Sequence, residues 1–184
     1  MFARTERLLL RPGWREDAPA LFRAIAQPSV VRNLASPPWP YLPEHAEAFL
    51  ATERKPSEAS ALIFLRGPGS PELIGAIGFG GRSAGNAELG YWIAAPHWGR
   101  GYATEAGRAV IAAARGSLRV RRLVAGHFLD NPASGRVLEK LGFRPTGAID
   151  SHYSAGRGEQ VPSRRFELEL DAEDDVSGAA SMAA

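Results

Sequence analysis

The sequence of 184 residues contains no cysteine, which excludes disulfide bonds and metal sites built on thiolates. It has no apolar run of about eighteen residues, so no membrane-spanning helix is expected. The apolar run at residues 8–10 is much shorter than the apolar region of a signal peptide. With 45% hydrophobic and 23% charged residues, the composition is typical of a globular protein, and we expect a cytoplasmic one.

Basic residues form no run interleaved with aromatic residues, so a nucleic-acid-binding face is not expected. The formal net charge of +2 hides an acidic end, because residues 171–184 carry four acids and no base. Without that end the charge of residues 1–170 is +6, an arginine-rich excess that favours a small anionic ligand. We predict one domain over residues 1–170 and an acidic, disordered tail over residues 171–184.

Hydrophobic periodicity predicts an α/β domain with a mixed sheet. The predicted strands cover residues 5–12, 60–66, 72–81, 86–94, 121–129 and 164–171. The predicted helices start at Asp17, Glu44, Gly101 and Asp130, with Asp17 and Asn131 as N-caps and Gly142 following the last helix. The three strands between residues 60 and 94 indicate an antiparallel meander. The strand–helix–strand over residues 86–129 indicates a parallel pair with a right-handed crossover.

The stretch PHWGRGYATEAGRAVIAAA, residues 96–114, lies where a strand gives way to a helix. Gly99, Gly101 and Ala103 remove bulky side chains around the free N–H groups of the first helical turn. Such a concave set of N–H donors suits a phosphate or a pyrophosphate. The Gly-Lys-Ser/Thr triplet of a P-loop is absent, and the dinucleotide pattern G-x-G-x-x-G lacks its third glycine at Thr104.

Together with LVAGHFLDNPASGRVLEKLGF, this stretch resembles the GCN5-related N-acetyltransferase (GNAT) superfamily, and within it the RimJ/RimL-like ribosomal-protein N-terminal acetyltransferases. The pyrophosphate-loop pattern of that family, Gln/Arg-x-x-Gly-x-Gly/Ala, reads WGRGYA at residues 98–103, with Trp98 in place of the usual polar residue. The resemblance implies the GNAT acyl-CoA N-acyltransferase fold. That fold is a mostly antiparallel sheet with a central, splayed parallel strand pair and helices on both faces.

The resemblance further implies acetyl-CoA as the co-substrate and no metal. The N–H groups of residues 100–104 would hold its pyrophosphate, and its pantetheine arm would pair with the strand backbone at residues 92–94. Asn131 matches the family asparagine that contacts the same arm. The implied cofactor-binding residues are Trp92, Ile93, Ala94, Trp98, Gly99, Arg100, Gly101, Tyr102, Ala103, Thr104, Asn131 and Ser134.

Acetyl transfer from a thioester to an amine needs a neutral amine, a polarised carbonyl and a proton for the departing thiolate. Glu88 lies on the strand that would flank the cofactor and is the predicted general base; the alternative is a solvent-facing glutamate. Many superfamily members have a tyrosine just before EKLGF, where this chain has Leu138. Ser134 matches the serine that the RimL-like branch places near the thiolate and is the predicted acid. The alternatives are a capping serine and protonation by solvent.

The predicted function is an N-acetyltransferase that acts on a primary amine by direct attack in a ternary complex. The acceptor would be a protein N-terminus or a small-molecule amine, and the protein would be a monomer or a homodimer. Three alternatives stay open: a non-catalytic acyl-CoA-binding or regulatory module, a dinucleotide-binding protein, and a transferase that uses another acyl donor such as succinyl-CoA.

Overall fold

The computed structural model describes residues 1–53, 58–83, 86–117 and 120–170. The strands in these ranges are β1 (Ala3–Arg4), β2 (Leu8–Arg11), β3 (Ala59–Leu65), β4 (Glu72–Ser83), β5 (Asn86–Ile93), β6 (Arg122–Phe128), β7 (Arg144–Ser154) and β8 (Glu159–Glu169). The helices are α1 (Ala18–Ile25), α2 (Pro28–Val31), α3 (Pro43–Ala51), α4 (Tyr102–Ser117) and α5 (Pro132–Lys140). The predicted tail, residues 171–184, lies outside the described residues.

The ends of α5 are the ones that the sequence predicts. Asn131 precedes the helix, and its side-chain Oδ1 accepts a hydrogen bond of 3.3 Å from the N–H of Ser134. Gly142 follows the last turn with a φ of 90°, a conformation that glycine adopts readily. Both capping predictions for this helix are therefore confirmed, and they fix the position of its first turn.

Asp17 is the N-cap residue of α1, as predicted, but its side chain makes no capping hydrogen bond to the helix. Its carboxylate accepts bonds from the N–H of Trp14 at 2.8 Å and from the Arg11 guanidinium at 2.7 and 2.8 Å. The preceding residues Arg15–Asp17 form a single 3₁₀ turn, which directs the carboxylate back toward Arg11. The ion pair therefore anchors the start of α1 to β2.

The strands of the described residues form one sheet in the order β1-β2-β3-β4-β5-β6-β8-β7. Neighbouring strands are antiparallel except β5 and β6, which are parallel and joined by the crossover helix α4. The predicted mixed sheet and the antiparallel meander of β3, β4 and β5 are confirmed. The last strand begins five residues earlier than predicted and pairs with β7, which lies at the sheet edge.

The parallel pair separates after a short paired stretch. Residues 86–88 of β5 pair with residues 122–124 of β6, and within the described chain the two strands have no pairing beyond Glu88 and Val124. The remaining residues, 89–93 and 125–128, therefore diverge and leave a gap in the middle of the sheet. The splayed strand pair implied by the family resemblance is confirmed.

Helices cover both faces of the sheet. Helices α4 and α5 pack on one face against a core that includes Leu89, Ile93 and Leu123, whereas α1, α2 and α3 pack on the other. Because side chains alternate along a strand, Leu89, Tyr91 and Ile93 of β5 face α4 and α5. Glu88, Gly90 and Trp92 face α1–α3.

Candidate active site

A cleft of about 870 Å³ runs through the gap between β5 and β6 and reaches both faces of the sheet. The residues predicted to form the site line this cleft, apart from Ala94 and Arg100. Ala94 is buried against β4, and the side chain of Arg100 is exposed. The cleft is the one place in the described chain where the predicted residues come together, so we treat it as the candidate active site.

The loop before α4 presents a row of backbone N–H groups at one end of the cleft. Gly99 and Gly101 have φ values of 73° and 81°, which residues other than glycine rarely adopt. The first intrahelical bond runs from the N–H of Glu105 to the carbonyl of Gly101 at 3.0 Å. Within the described residues, none of the N–H groups of residues 99–104 donates to another protein atom. Together with the positive end of the helix dipole, these groups suit an anionic ligand.

A charged cluster fixes this loop to the N-terminal strands. The Arg7 guanidinium donates to Glu105 Oε2 at 2.7 Å and to the carbonyl of Arg100 at 3.0 Å, and Thr5 Oγ1 donates to Glu105 Oε1 at 2.6 Å. Burial alone would raise the pKa of Glu105, but the hydrogen bonds from Thr5 and Arg7 and the charge of Arg7 hold it below its ordinary value. Arg7 therefore holds the carbonyl side of the loop and leaves the N–H side open.

The charge on Glu105 should stabilise the protein in a pH-dependent way. Because its pKa is lowered on folding, the stabilisation is present above the ordinary pKa of glutamate and is lost as the pH falls through the lowered value. We expect Glu105→Gln to reduce the free energy of unfolding by about 1 kcal/mol at roughly pH 7, a figure discounted because water screens the half-exposed Arg7. Urea unfolding at about pH 7 and about pH 3 measures the difference between the two proteins, which should be smaller at the lower pH.

Glu169→Gln is the matched control, because Glu169 is largely exposed and lies 3.7 Å from its partner Arg122. Exposed pairs of this kind contribute little, so this variant should unfold like the wild type at both pH values. An equal loss of stability in acid and at neutral pH for Glu105→Gln would contradict the assigned pairing.

The backbone of β5 is open toward the gap. The N–H of Ala94 bonds to the carbonyl of Ile74 on β4 at 2.8 Å, so the preceding Ile93 points its backbone groups the other way, toward β6. The Ile93 carbonyl there accepts a bond of 2.6 Å from the indole N–H of Trp98. Trp98, predicted to bind the cofactor, thus uses its N–H within the protein, and Tyr91 likewise points its backbone groups into the gap.

A pair of hydroxyl groups faces the gap from the side of α4 and α5. The Tyr91 hydroxyl lies 2.8 Å from Ser134 Oγ and donates to the Ser134 carbonyl at 3.0 Å. The sequence predicted Ser134 but did not single out Tyr91. Strand alternation was the available signal, because it places Tyr91 on the opposite face of β5 from Glu88.

Glu88 lies on the other face of β5 and is held by an arginine from β8. Its Oε1 accepts a bond of 3.2 Å from Arg165, whose Nε lies 3.5 Å from Asp150 Oδ2. Arg165 is buried and crosses β6 above Gly126, where a Cβ atom would come within 2.8 Å of the guanidinium. The guanidinium therefore orients the carboxylate beside the gap. His152 Nε2 lies 3.3 Å from the same group.

A further ion cluster lies next to Asn131, which lines the cleft. Asp130, which precedes Asn131, accepts two bonds from Arg157 at 2.8 and 3.0 Å and one from Arg32 at 3.0 Å. The hydrogen bond from Arg157, with the charges of both arginines, holds the pKa of Asp130 below its ordinary value. Because Arg32 follows α2 and Arg157 lies in the turn between β7 and β8, the cluster joins these two segments to the residue that precedes the Asn131 cap.

No group of three or more His, Asp or Glu side chains in the described ranges is arranged to hold a metal ion, and the metal-free site stays a prediction. Among the helices of those same ranges, none is long and apolar enough to cross a membrane.

Comparison with known proteins agrees with this geometry. The family model of the acetyltransferase (GNAT) domain matches residues 7–144. The chain is 32% identical over 148 residues to the uncharacterized N-acetyltransferase YoaA of Bacillus subtilis (strain 168), across 79% of this chain and 84% of that protein. It is also 38% identical over 80 residues to the ribosomal-protein-serine acetyltransferase of Escherichia coli (strain K12), across 42% of this chain and 45% of that protein.

A solved structure shares the same fold at low sequence identity. The structure of RimL, a ribosomal L7/L12 alpha-N-protein acetyltransferase in complex with coenzyme A, aligns with a TM-score of 0.77 at 20% identity. The alignment covers 94% of this chain and all of that one.

The splayed sheet, the loop before α4 and these matches define an acyl-CoA-dependent N-acetyltransferase. The chain belongs to the GNAT acetyltransferase family, and its relatives support the RimJ/RimL-like branch. Membership in this family of enzymes rules out two alternatives that the sequence left open, a dinucleotide-binding protein and a non-catalytic module.

Proposed function

We propose that this protein transfers the acetyl group of acetyl-CoA to a primary amine by direct attack in a ternary complex. One observation carries the proposal. A single cleft joins the open N–H groups of residues 99–104 on one face of the sheet to the carboxylate of Glu88 on the other. Two substrates entering from opposite faces would meet in the gap between β5 and β6.

Acetyl-CoA would enter from the face covered by α4 and α5. Its diphosphate would accept bonds from the N–H groups of residues 100–104, with Trp98 and Gly99 shaping the entry and Arg100 adding positive charge. Its pantetheine arm would lie along the open edge of β5 at residues 92–94, where the Ile93 N–H faces the gap, and would reach Asn131. The coenzyme A in the related RimL structure supports a coenzyme A thioester as the donor.

The amine would enter from the face covered by α1–α3. Leu21, Ile25 and Val30 give this wall an apolar part, which would limit the water around the amine. Glu88 would accept the proton that the nitrogen loses as the new N–C bond forms, and Arg165 would hold the carboxylate in place. Either a protein N-terminus or a small amine fits this chemistry.

The thioester supplies the rest of the reaction. Its carbonyl oxygen gains negative charge as the amine attacks, and a backbone N–H of β5 in the gap would stabilise that charge. The C–S bond then breaks, and the thiolate leaves beside Ser134. Ser134 Oγ faces the gap, and the Asn131 cap fixes the backbone N–H of Ser134.

An acceptor screen tests the proposal. Purified protein and acetyl-CoA are mixed with peptides of different N-terminal residues, amino acids and small amines, and thiol release is measured with a chromogenic disulfide. We expect release that depends on one class of amine, and slower release with succinyl-CoA. Release that no amine accelerates would overturn the proposed reaction.

Gly90 offers a test of where the acceptor binds. It faces α1–α3 between Glu88 and Trp92, and a Cβ atom there meets nothing within 4 Å. We expect Gly90→Val to fold normally, because valine favours a strand, and to raise the KM for the acceptor by about tenfold by filling the cleft floor. Steady-state kinetics and calorimetry should show an unchanged affinity for acetyl-CoA.

Gly67→Val is the matched control, since a Cβ atom at Gly67 in the turn between β3 and β4 also meets nothing within 4 Å. Both kinetic constants of this variant should equal those of the wild type. An acetyl-CoA affinity that falls as much as the acceptor affinity in Gly90→Val would contradict the separation of the two substrates by face.

A further inference from the structure

Tyr91 places a second hydroxyl beside Ser134, and the proposed reaction assigns it no part. Its ring is half-buried on the face of β5 that carries α4 and α5, and it lines the cleft. Its hydroxyl spans the gap from β5 to the first turn of α5, 2.8 Å from Ser134 Oγ and 3.0 Å from the Ser134 carbonyl. A strand residue and a helix residue therefore meet where the leaving sulfur of the proposed reaction would lie.

The two hydroxyl groups can arrange their hydrogens in two ways. When the Tyr91 O–H donates to the Ser134 carbonyl, the serine hydrogen donates to the tyrosine oxygen, and both are used within the pair. When the Tyr91 O–H turns to Ser134 Oγ, the serine hydrogen is released. In that second arrangement Ser134 donates into the cleft, and its donor strength rises because its oxygen accepts a bond at the same time.

The acidity of Tyr91 determines what the pair can supply. Burial raises the pKa of Tyr91 to about 12, and its hydrogen bond with Ser134 partly offsets this rise. An ordinary thiol such as that of cysteine has a pKa near 8.5, so a proton moved from Tyr91 to a thiolate would move uphill. The tyrosine therefore keeps its proton and acts as a hydrogen-bond donor rather than as an acid.

We propose that Tyr91 is a positioning residue that turns the Ser134 O–H toward the departing sulfur and so stabilises the thiolate. The inference rests on the proposed acetyl transfer. In that step the N–C bond forms, the C–S bond breaks and the base takes the proton from nitrogen. The sulfur keeps the electron pair of the broken bond and takes a proton from water after the hydrogen-bonded thiolate has formed.

Steady-state kinetics of the two single variants and the double variant test whether Tyr91 acts through Ser134. Ser134→Ala should lower kcat by about 30-fold and Tyr91→Phe by about tenfold, with little change in the KM for acetyl-CoA, because the lost bonds form as charge develops on sulfur. The double variant should match Ser134→Ala alone, since Tyr91 acts through Ser134. Tyr153→Phe is the matched control, because Tyr153 is 56% exposed on β7 and should leave kcat unchanged.

A binding measurement tests the same inference without turnover. The thiol pKa of bound coenzyme A is followed by the ultraviolet absorbance of the thiolate. This thiol pKa should be lower on the wild type than in free solution. It should be higher than on the wild type by about half a unit or more in Ser134→Ala, which loses the donor to the thiolate, and in Tyr91→Phe, which loses the hydroxyl that directs this donor. Ser134→Thr keeps a hydroxyl and should keep the low value, which provides a second test should Tyr91→Phe fail to fold.

The outcomes separate this inference from the proposed function. A wild type that binds no coenzyme A would overturn both. A wild type that binds coenzyme A and acetylates an amine, with a thiol pKa that neither variant changes, would overturn the inference alone. Additive losses of kcat in the double variant would also overturn it, because Tyr91 would then act independently of Ser134.

Discussion

Replacement of Gly99 and Gly101 together by alanine is expected to weaken acetyl-CoA binding by about 100-fold. The two residues have φ values of 73° and 81°, where an L-residue costs about 1–2 kcal/mol each. The loop would relieve this strain by rotating its peptide groups, and the N–H groups of residues 100–104 would then no longer converge on one anion. Isothermal titration with acetyl-CoA measures the loss.

The same chain supplies a matched pair of glycines. Gly158 and Gly147 have φ values of 70° and 83° and lie in the hairpin of β7 and β8, where a Cβ atom meets nothing within 4 Å. Alanine at both should reduce the free energy of unfolding as much as alanine at Gly99 and Gly101 does, because the backbone strain is the same. Acetyl-CoA affinity should change by less than roughly twofold. Equal losses of affinity in the two double variants would show that strain, and not the anion site, accounts for the effect.

Glu88→Gln is expected to lower kcat by about 100- to 1,000-fold, the usual range for loss of a general base. Glutamine keeps the size of the side chain and can still accept a bond from Arg165, but it cannot take a proton from the amine. Because Glu88 faces α1–α3 and the loop before α4, where we propose that the diphosphate binds, lies on the other face, the affinity for acetyl-CoA should stay within roughly twofold. Stopped-flow or steady-state kinetics and calorimetry measure the two quantities separately.

Asp150→Asn is the control for the ion pair. Asp150 is the other carboxylate beside Arg165, at 3.5 Å, but it does not line the cleft. If Glu88 acts as a base, Asp150→Asn should lower kcat by less than about fivefold. Losses of the same size in both variants would indicate that Arg165, and not the carboxylate of Glu88, carries the effect.

Local sequence signals predicted the parts of the site that depend on neighbouring residues. The glycines at 99 and 101 and the Asn131 cap were identifiable because turn and cap chemistry acts over a few residues. The meander and the crossover followed from strand periodicity and the handedness of strand–helix–strand units. The splay of β5 and β6 was predicted from the family resemblance, not from periodicity.

Other features depend on long-range register and were not predicted. Arg165 reaches Glu88 because β8 lies between β6 and β7, and because Gly126 leaves room for the guanidinium. Neither condition can be inferred from sequence spacing. Strand β7 is exposed over most of its length at the sheet edge, so it lacks the alternation that marks a half-buried strand. Helix α2 has four residues, which is too short for a helical period.

The most direct measurement of the central claim is a titration of the isotope-labelled wild-type protein with coenzyme A, followed through its backbone amide resonances. Donation of the N–H groups of residues 100–104 to the diphosphate predicts large, saturable shifts of the Gly101 resonance and of the adjacent Gly99 resonance, while those of Gly147 and Gly158 stay in place. Saturation without any shift at Gly99 and Gly101, or the absence of binding, would contradict the account.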